Sequence, residues 1–425
     1  RAFQRVSDHR QAADAADAAA LEAIRSLLGA VLPTNPFYGR KYASVGCSAL
    51  PASLDVFQTR FPLTTKSELV DDQAAFPPYG SNLTFPIEAY TRCHQTSGTH
   101  GAPLRWLDTP ASWSAMTDGW VEVLRQAGVG PGDRAFFPFS FGPFLGFWLA
   151  FEAAQRLGVL SVSGGGMSSV LRLRVLLEQG FTVMCCTPTY ALHLAETARA
   201  EGIDLRRSRL RRILVAGEPG GSQPTVRARI ESAWPGARVF DHHGMTETGP
   251  VTFESAELPG SLVLIDSQFH AEILDPQTLA PVPEGSRGEL VLTTLKRTGS
   301  PLIRYRTGDW VCPRWWRGRR VFDGGILGRV DDMVVVRGVN LYPSAVEAVA
   351  RSLESVGEYR VTVDHSGDLA AVSIEAEAPE AACRELAERL HAALSLRIDV
   401  NPVPAGSLPR FELKARRWRS VPPRS

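Results

Sequence analysis

The sequence predicts an α/β protein in two parts: a large N-terminal domain whose mixed and parallel sheets are flanked by helices, and a small α+β C-terminal domain. Short apolar runs alternate with helical patterns through the middle of the chain, and a shorter set of strands and helices follows a charged turn near residue 330. A chain of 425 residues is also long enough for two or three domains.

The first element is an alanine-rich segment, 11–30, whose scattered charges at helical spacing predict an amphipathic surface helix. Strand and helix patterns then alternate. Strands of about five residues joined by helices indicate βαβ units and a parallel sheet. The predicted strands are 134–139, 159–163, 182–186, 212–216 and 237–240, and the predicted helices are 145–157, 170–179, 190–200 and 227–233.

The pattern becomes hairpin-like and richer in strands at 262–295. A compact α+β unit follows the charged turn 329–332. Its strands are predicted at 333–337, 359–363, 369–376 and 398–403, and its helices at 344–354 and 380–394. We therefore expect a boundary near Asp331 that separates domain 1–330 from domain 331–425.

The composition argues against several classes of protein. With 46 basic and 45 acidic residues the net charge is +1, so the basic face of a nucleic-acid-binding protein is not expected. The uncharged stretch 135–151 contains proline and glycine and is shorter than the ~20 residues that span a bilayer, so no membrane contact is expected.

Cysteine usage and the N-terminal segment bear on location. The six cysteines include no CxxC pair, which argues against a zinc ribbon and predicts free, mostly buried thiols in a reducing compartment. Acidic residues interrupt the N-terminal segment where a signal peptide would be apolar. Together these features predict a cytoplasmic protein.

Polar and glycine-rich segments follow three of the predicted parallel strands, at 164–166, 217–219 and 242–244. Ligands of open parallel sheets bind beyond the carboxyl ends of the strands. We therefore expect a ligand site at this edge before any motif is considered.

Two further segments contain residue types suited to phosphates. Loop 96–103 combines glycines, which allow close backbone approach to an anion, with hydroxyl donors, although an ordinary polar turn has the same composition. Glu247 follows a predicted strand and is suited either to a magnesium ion shared with phosphates or to a solvated surface. The adjacent His242 and His243 have no third ligand at suitable spacing, which argues against zinc.

Asp309 and Lys414 are candidates on their own. Asp309 lies in a turn after a strand, where its carboxylate can accept hydrogen bonds from a ribose diol or cap the turn. Lys414 is one of four lysines among 46 basic residues, so a compact ammonium is expected to matter at this position. A basic surface tail is the other interpretation.

Loop 96–103 and the segments around Glu247, Asp309 and Lys414 occur in this order along the chain. Together they resemble the adenylate-forming superfamily of acyl-CoA synthetases and adenylation domains, and in particular the phenylacetate–coenzyme A ligase family. The resemblance runs from about residue 35 to Lys414 and is supported by segments 61–66, 186–192, 301–307 and 328–340. It implies an AMP-forming acid–thiol ligase with a small mobile C-terminal domain. ATP, Mg²⁺ and coenzyme A are the implied cofactors and co-substrates, and a small-molecule carboxylic acid is the implied substrate.

The resemblance also implies a role for each matching residue. Loop residues Thr96, Ser97, Gly98, Thr99, His100 and Gly101 would handle the β- and γ-phosphates. Adenine would lie against Gly217, Glu218, Pro219 and His243, the last in a slot that usually holds tyrosine. Asp309 would bind the ribose, and Arg329 the nucleotide.

The implied catalytic residues are Thr246, Glu247 and Lys414. Thr246 would contact the α-phosphate, Glu247 would hold Mg²⁺, and Lys414 would bridge the substrate carboxylate and the α-phosphate. Asp331 would be the hinge, and Gly338 would face coenzyme A after the small domain rotates.

The acyl pocket is expected around the aromatic segment 139–144, where phenylalanine replaces both tyrosines of the phenylacetate ligases. Fewer hydroxyls and more bulk predict a flat, apolar, aromatic acid, although packing in the core explains some of these rings equally well. The predicted pocket residues are Phe139, Phe141, Gly142, Phe144, Gly165, Gly166, Met167 and Pro250.

Three functions remain open at this stage. The first is a coenzyme A ligase, and the second is an adenylating ligase that passes the acyl group to an amine or to a carrier-protein thiol. The third is a nucleotide-binding protein without turnover, which His100 and Ala102 suggest because the family usually has Thr or Ser and Lys there. A homodimer is common among related ligases.

Overall fold

The computed structural model describes residues 2–96, 103–330, 334–336, 339–365, 371–411 and 415–421, with side chains from residue 17 onward except at residues 335, 339 and 340. Several predicted functional residues lie outside the described residues, and their roles stay predictions. They are Ser97, Gly98, Thr99, His100, Gly101, Asp331, Gly338 and Lys414.

The helices are α1 Ala2–Val31, α2 Pro36–Ala43, α3 Leu54–Arg60, α4 Lys66–Ala75, α5 Pro110–Gln126, α6 Trp148–Arg156, α7 Ser169–Glu178, α8 Pro188–Ala200, α9 Pro224–Ala233, α10 Pro343–Arg351 and α11 Glu380–Leu394. Short 3-10 turns lie at Ile87–Ala89 and Leu205–Arg207. Among the helices described, none has the length and apolar character that a membrane crossing requires.

The first strands are β1 Arg92–Gln95, β2 Arg105–Asp108, β3 Arg134–Phe137, β4 Leu160–Ser163, β5 Val183–Cys186, β6 Arg212–Val215, β7 Arg238–Asp241, β8 Gly244–Met245, β9 Gly249–Pro250, β10 Thr252–Ser255 and β11 Leu258–Leu264. The remaining strands are β12 Phe269–Leu274, β13 Gly288–Thr294, β14 Tyr305–Val311, β15 Pro313–Trp316, β16 Arg319–Asp323, β17 Gly328–Arg329, β18 Val334–Val336, β19 Val339–Leu341, β20 Tyr359–Asp364, β21 Ala371–Ala376, β22 Asp399–Pro402 and β23 Trp418–Val421.

The chain forms two compact units. The first contains Arg1–Asp133, Ser140–Ser161 and His242–Gly325, and the second contains Arg134–Phe139, Val162–Asp241 and Ile326–Ser425. The boundary between domains 1–330 and 331–425 stays a prediction, because Asp331 is not among the described residues.

The first unit is built on antiparallel sheets. One has the strand order β10-β11-β16-β15, and β12, β13 and β14 pair antiparallel in sequence. Strand β14 alternates buried and half-buried residues, so Tyr305, Thr307 and Asp309 share its buried face. Two buried polar side chains on that face are therefore held on a rigid strand.

The second unit contains the parallel sheet that the βαβ pattern predicts. Its order is β4-β3-β5-β6-β7, and the registers from β3 through β7 are parallel. All four residues of β5 are buried, as expected of a strand covered on both faces. Its core includes Phe181, Tyr190 and Trp234 beside the strand residues.

The C-terminal part of this unit has its own core. Strands in the order β22-β21-β20-β23 pack with α10 and α11, and Tyr359, Leu386 and Leu390 are buried among them. Helix α11 matches the predicted 380–394. Strand β23, which was not predicted, pairs parallel with β20 and adds residues 418–421 to the sheet.

Several predicted boundaries differ from those of the structure, among them the start of α6. Helix α6 begins at Trp148 rather than at residue 145, and Phe147 is its N-cap. Gly146 has φ of 40°, a left-handed conformation that a right-handed helix cannot include. The aromatic segment before α6 therefore remains a loop.

Candidate active site

A tight hairpin carries Thr246 and Glu247. Strands β8 and β9 pair with Gly244 opposite Pro250 and Met245 opposite Gly249. A Cβ at Gly244 would lie 2.7 Å from the carbonyl oxygen of Gly249, so only glycine permits this close pairing. The residues between the strands are thus held in a turn of fixed shape.

Glu247 is buried, with 9% of its surface exposed, and it has a partner on β14. The Tyr305 hydroxyl donates to Glu247 Oε1 at 3.3 Å. Burial of an ionised carboxylate is unfavourable unless it is hydrogen-bonded or neutralised. One phenol leaves acceptor capacity on this carboxylate for a cation or a further donor.

Asp309 lies on the same face of β14 as Tyr305, four residues later in the strand. Its Oδ2 is 3.1 Å from Nε2 of His243, and the two side chains are 6% and 14% exposed. The Asp309 amide donates to the Thr307 hydroxyl at 3.0 Å, which fixes the backbone locally. Strand β14 therefore contacts the 243–250 segment twice, at Glu247 and at His243.

Arg297 holds the turn of this hairpin through a hydrogen bond to its backbone. Its Nε and one terminal nitrogen donate to the two carboxylate oxygens of Asp108, both at 2.7 Å, and its other terminal nitrogen donates to the Thr246 carbonyl at 2.9 Å. The Arg297 and Asp108 side chains are 2% and 0% exposed. A buried, bidentate ion pair of this kind is rigid because any other geometry leaves a charge unpaired.

His242 has a structural environment that differs from that of His243. Its ring lies 4.2 Å from the ring of Trp120, and its Nδ1 is 2.6 Å from the Thr252 carbonyl. Burial lowers the pKa of His242 to about 3, although the hydrogen bond to the Thr252 carbonyl by itself raises this pKa. The ring is therefore neutral, with the proton on Nδ1, where it can donate to the carbonyl.

Thr96 closes the base of the predicted phosphate loop in the first unit. Its amide donates to the Leu104 carbonyl at 2.9 Å, and its hydroxyl accepts from the Leu104 amide at 3.0 Å. The preceding Gln95 amide donates to the Pro143 carbonyl at 2.8 Å. The loop base is thus joined to the aromatic segment of the predicted acyl pocket.

The first unit also contains four of the eight residues that are predicted to form the acyl pocket. The Phe141 ring lies edge-on to Trp148 at 4.7 Å and to Phe151 at 5.4 Å, and Gly142 accepts a hydrogen bond from the Trp148 indole at 3.2 Å. Phe144 is half-buried and Pro250 is buried. The ring of Phe141 is therefore held by packing against α6.

The second unit places the other predicted residues at the carboxyl ends of its parallel strands. Phe139 follows β3, and its amide and that of Gly164, after β4, both donate to the Phe137 carbonyl, at 2.7 and 2.8 Å. Gly165 and Gly166 are exposed and Met167 is half-buried. The structure brings these ends together as the sheet topology predicts.

The predicted adenine segment follows β6. Gly217 has φ of 94°, and Gly217 and Pro219 are exposed while Glu218 is half-buried. The Glu218 carboxylate accepts hydrogen bonds from the amides of Thr189 and Ala415, at 2.7 and 2.9 Å. Arg329, predicted to contact the nucleotide, is half-buried on β17.

Comparison with known proteins identifies the family. The chain matches the AMP-binding enzyme family over residues 95–295 and the AMP-binding enzyme C-terminal domain over residues 338–419. It is 30% identical over 414 residues to a phenylacetate–coenzyme A ligase of Pseudomonas putida, covering 93% of this chain and 92% of the relative. The chain belongs to the phenylacetate–coenzyme A ligase family of AMP-binding enzymes.

Other relatives agree with this membership. A phenylacetate–coenzyme A ligase of Thermus thermophilus is 32% identical over 382 residues, which cover 87% of this chain and 83% of the relative. A 2-hydroxyisobutyryl-CoA ligase in its postadenylation state, in complex with 2-HIB-AMP, is 30% identical and has a TM-score of 0.90, with 95% of this chain and 89% of that chain covered. The same ligase with CoA in its thioesterification state gives a TM-score of 0.72 at the same coverage.

For an AMP-binding enzyme, the donor set suits magnesium shared with phosphates. Among the described residues, no three His, Cys, Asp or Glu side chains form a metal cluster. Glu247 has spare acceptor capacity, and Mg²⁺ is commonly held by one or two carboxylates together with substrate oxygens. The described residues therefore fit a Mg²⁺ ion that arrives with ATP.

The sequence motifs of this ligase family do not predict roles for Asp108, Arg297 or Tyr305. Tyr305 lies within segment 301–307, which supports the family resemblance, so the sequence marks this region even though it does not predict the contact with Glu247. Asp108 and Arg297 lie 189 residues apart, and no spacing rule links them. Only the tertiary structure brings these two residues together, where Arg297 also binds the Thr246 carbonyl.

Proposed function

We propose that this protein is an ATP-dependent acid–coenzyme A ligase that forms an acyl-adenylate and then an acyl-CoA thioester. The observation that carries the proposal is the Thr246–Glu247 turn held beside Asp309 on β14, in a chain that belongs to this ligase family along most of its length. The turn offers a phosphate and magnesium site, and Asp309 offers a buried carboxylate for the ribose diol.

In the first half-reaction, a carboxylate oxygen of the acid bonds to the α-phosphorus of ATP as the bond to pyrophosphate breaks. Both reactants are anionic, so positive charge must offset their repulsion. We assign this role to Lys414, with Thr246 contacting the α-phosphate. A Mg²⁺ ion held by Glu247 and phosphate oxygens would supply further positive charge to the phosphates.

In the second half-reaction, the sulfur of coenzyme A bonds to the acyl carbon and the bond to AMP breaks, while the thiol proton leaves to solvent. We propose that domain 331–425 rotates about Asp331 between the two steps and then presents Gly338 to coenzyme A. One site would then serve two reactions through a conformational change.

We propose an aromatic acid as the substrate. Phe141 is held edge-on by Trp148 and Phe151, which supports a flat apolar wall rather than a hydroxyl-lined one. The relatives include phenylacetate ligases and a ligase for the small 2-hydroxyisobutyryl group. A comparison of arylacetic, benzoic and short 2-hydroxy acids tests the choice.

The test of the function incubates the protein with ATP, Mg²⁺ and this panel of acids, with and without coenzyme A, and measures pyrophosphate, AMP and acyl products. We expect pyrophosphate release that depends on an acid, and acyl-CoA only when the thiol is present. An acyl-adenylate that coenzyme A does not discharge would point to an amine or a carrier-protein thiol as acceptor. Absence of acid-dependent turnover would contradict the proposal.

Two further features belong to the proposal. The six cysteines are free thiols, which supports a reducing, cytoplasmic environment. We also propose a homodimer, as is common among related ligases, and the measured mass in solution tests it.

A further inference from the structure

The carboxylate of Glu218 joins two backbone segments of the second unit. One oxygen accepts from the Thr189 amide at 2.7 Å, and the other accepts from the Ala415 amide at 2.9 Å. Thr189 is the second residue of α8, where backbone amides lack acceptors within the helix and negative charge is favoured. Both oxygens of the carboxylate are therefore engaged by backbone amides, in a geometry that a neutral side chain cannot reproduce.

A second contact ties the same two segments together. Both terminal nitrogens of Arg417 lie 3.4 Å from the Thr189 hydroxyl. Arg417 is itself fixed by Glu358, whose Oε2 accepts from it at 3.0 Å, and by the ring of Tyr359 at 5.2 Å. Residues 415 and 417 are thus attached to the N-terminus of α8 through Glu218 and Thr189.

The amide of Ala415 is half of the peptide bond that follows Lys414. Because a peptide unit is planar, a hydrogen bond to this N–H restricts the orientation of the backbone that carries the lysine. We propose that Glu218 is a positioning residue for Lys414, which it holds through the Ala415 amide during acyl-adenylate formation. The inference rests on the proposed function, because it assigns Glu218 to one of the two half-reactions.

The position of Glu218 makes its effect specific to one step. Glu218 and Thr189 belong to the large domain of the proposed boundary, whereas Ala415 belongs to the small domain. Rotation of the small domain for thioester formation must break the bond between Glu218 and Ala415. Glu218 therefore contributes to adenylation and not to thioester formation, unlike a residue that only stabilises the fold.

The principal test is Glu218→Gln, which keeps the shape of the side chain but turns an amide group toward one of its two N–H partners. We expect single-turnover acyl-adenylate formation to slow by about ten- to a hundredfold, the effect of losing one charge-assisted hydrogen bond. The KM for ATP should stay within about twofold, because both carboxylate oxygens of Glu218 already accept from backbone amides and are not available to bind the base. Thioester formation from preformed acyl-adenylate should keep its wild-type rate.

Glu231→Gln is the matched control. The Glu231 carboxylate also accepts from a backbone amide of the second unit, that of Val239 at 2.9 Å, but it does not contact residues 415–417 among those described. Both half-reactions of this variant should match the wild type. A general loss of the unit's stability would instead slow both variants alike.

Variants at position 415 test the same hydrogen bond from its donor side if Glu218→Gln folds poorly. Ala415→Pro removes the N–H, and Ala415→Gly retains it. If both changes remove the same bond, the Glu218→Gln/Ala415→Pro double variant should form acyl-adenylate no more slowly than the slower single variant. Ala415→Gly should stay within about threefold of the wild type, since it keeps the donor.

Hydrogen exchange of the Ala415 amide, followed by mass spectrometry of overlapping peptides, measures the contact without turnover. We expect this amide to exchange at least about tenfold faster in Glu218→Gln than in the wild type. Unchanged exchange, equal slowing of both half-reactions, or a raised KM for ATP with unchanged kcat would overturn the proposal. A wild-type protein that activates no acid would contradict the proposed function, while the exchange result would still decide whether Glu218 holds Ala415.

Discussion

At the scale of single residues, the Asp309–His243 contact has the greatest consequence. The carboxylate is 6% exposed and lies 3.1 Å from the imidazole, in a strand that leaves it little freedom to move. Buried carboxylates remain ionised only where charge or donors compensate for lost water. A ribose diol would supply two such donors, which is why we propose Asp309 as the residue that binds the sugar.

Asp309→Asn tests this role. The amide keeps the volume but loses the charge, so the KM for ATP should rise by about ten- to a hundredfold with a smaller change in kcat. The measurement is acid-dependent pyrophosphate release at varied ATP. Asp323→Asn, on β16 of a different sheet and with its side chain 43% exposed, should leave this KM unchanged. An unaltered KM in Asp309→Asn would remove Asp309 from the nucleotide site.

His242 predicts a dependence of stability on pH. Burial lowers its pKa to about 3, below the ordinary value of 6.5, so the unfolded chain binds a proton that the folded protein does not between these pH values. The stability that this residue contributes is therefore present above pH 6.5 and is lost as the pH falls. His242→Asn retains a donor for Thr252 but does not titrate.

Urea unfolding at pH 7.5 and pH 5 measures this effect. The wild type should lose about 2 kcal/mol more of its free energy of unfolding over this range than His242→Asn does. Equal losses in the two proteins would show that His242 becomes protonated without unfolding.

At the scale of elements, the β8–β9 hairpin depends on a support that lies outside it in the sequence. Arg297 connects the Thr246 carbonyl to Asp108 at the end of β2. The turn thereby takes its position from a buried ion pair rather than from its own two short strands. An isolated two-stranded hairpin of this length would be unstable in water.

Arg297→Met tests this support. It leaves Asp108 buried without its partner, so the free energy of unfolding should fall by about 3–5 kcal/mol. The shift of the urea midpoint measures it. Arg317→Met breaks an exposed pair with Glu257 and should cost less than about 1 kcal/mol. Adding Asp108→Leu to Arg297→Met should recover much of the loss, and failure to recover would argue against the unpaired charge as its cause.

At the scale of the whole molecule, we propose that acyl-adenylate formation and thioester formation share one site. The small domain would present a different face to that site in each of the two steps. Strand β23 and the contacts of Arg417 hold residues 415–421 against the rest of the second unit. Lys414 directly precedes this segment in the sequence. Under the proposed mechanism, the attachment of this segment would affect acyl-adenylate formation more than thioester formation.

Lys414→Ala tests the division between the steps. Loss of one preorganised cation should slow acyl-adenylate formation by on the order of 10²–10³, while thioester formation from preformed acyl-adenylate stays near the wild-type rate. Rapid-quench measurement of each step separates the two. Lys296→Ala removes an exposed lysine and should change neither. Equal losses in both steps would contradict the assigned role of Lys414.

The sequence alone determined the alternation of strands and helices in 134–240, the helices of the C-terminal part and the family motifs. These features are local, because strand and helix periodicity and turn chemistry depend on residues a few positions apart. Thus α11 coincides with the prediction, and the residues after β3, β4 and β6 lie at the strand ends as expected.

Only the tertiary structure decided which distant side chains meet. Asp108 reaches Arg297, Tyr305 reaches Glu247, and Glu218 reaches the backbone at Ala415, each across a separation that no periodic pattern encodes. Strand β23 likewise forms because β20 offers it a parallel edge, not because its own sequence requires a strand. The chemistry-bearing residues could be found by type and motif, whereas the residues that hold them depend on how the folded chain buries and pairs its charges.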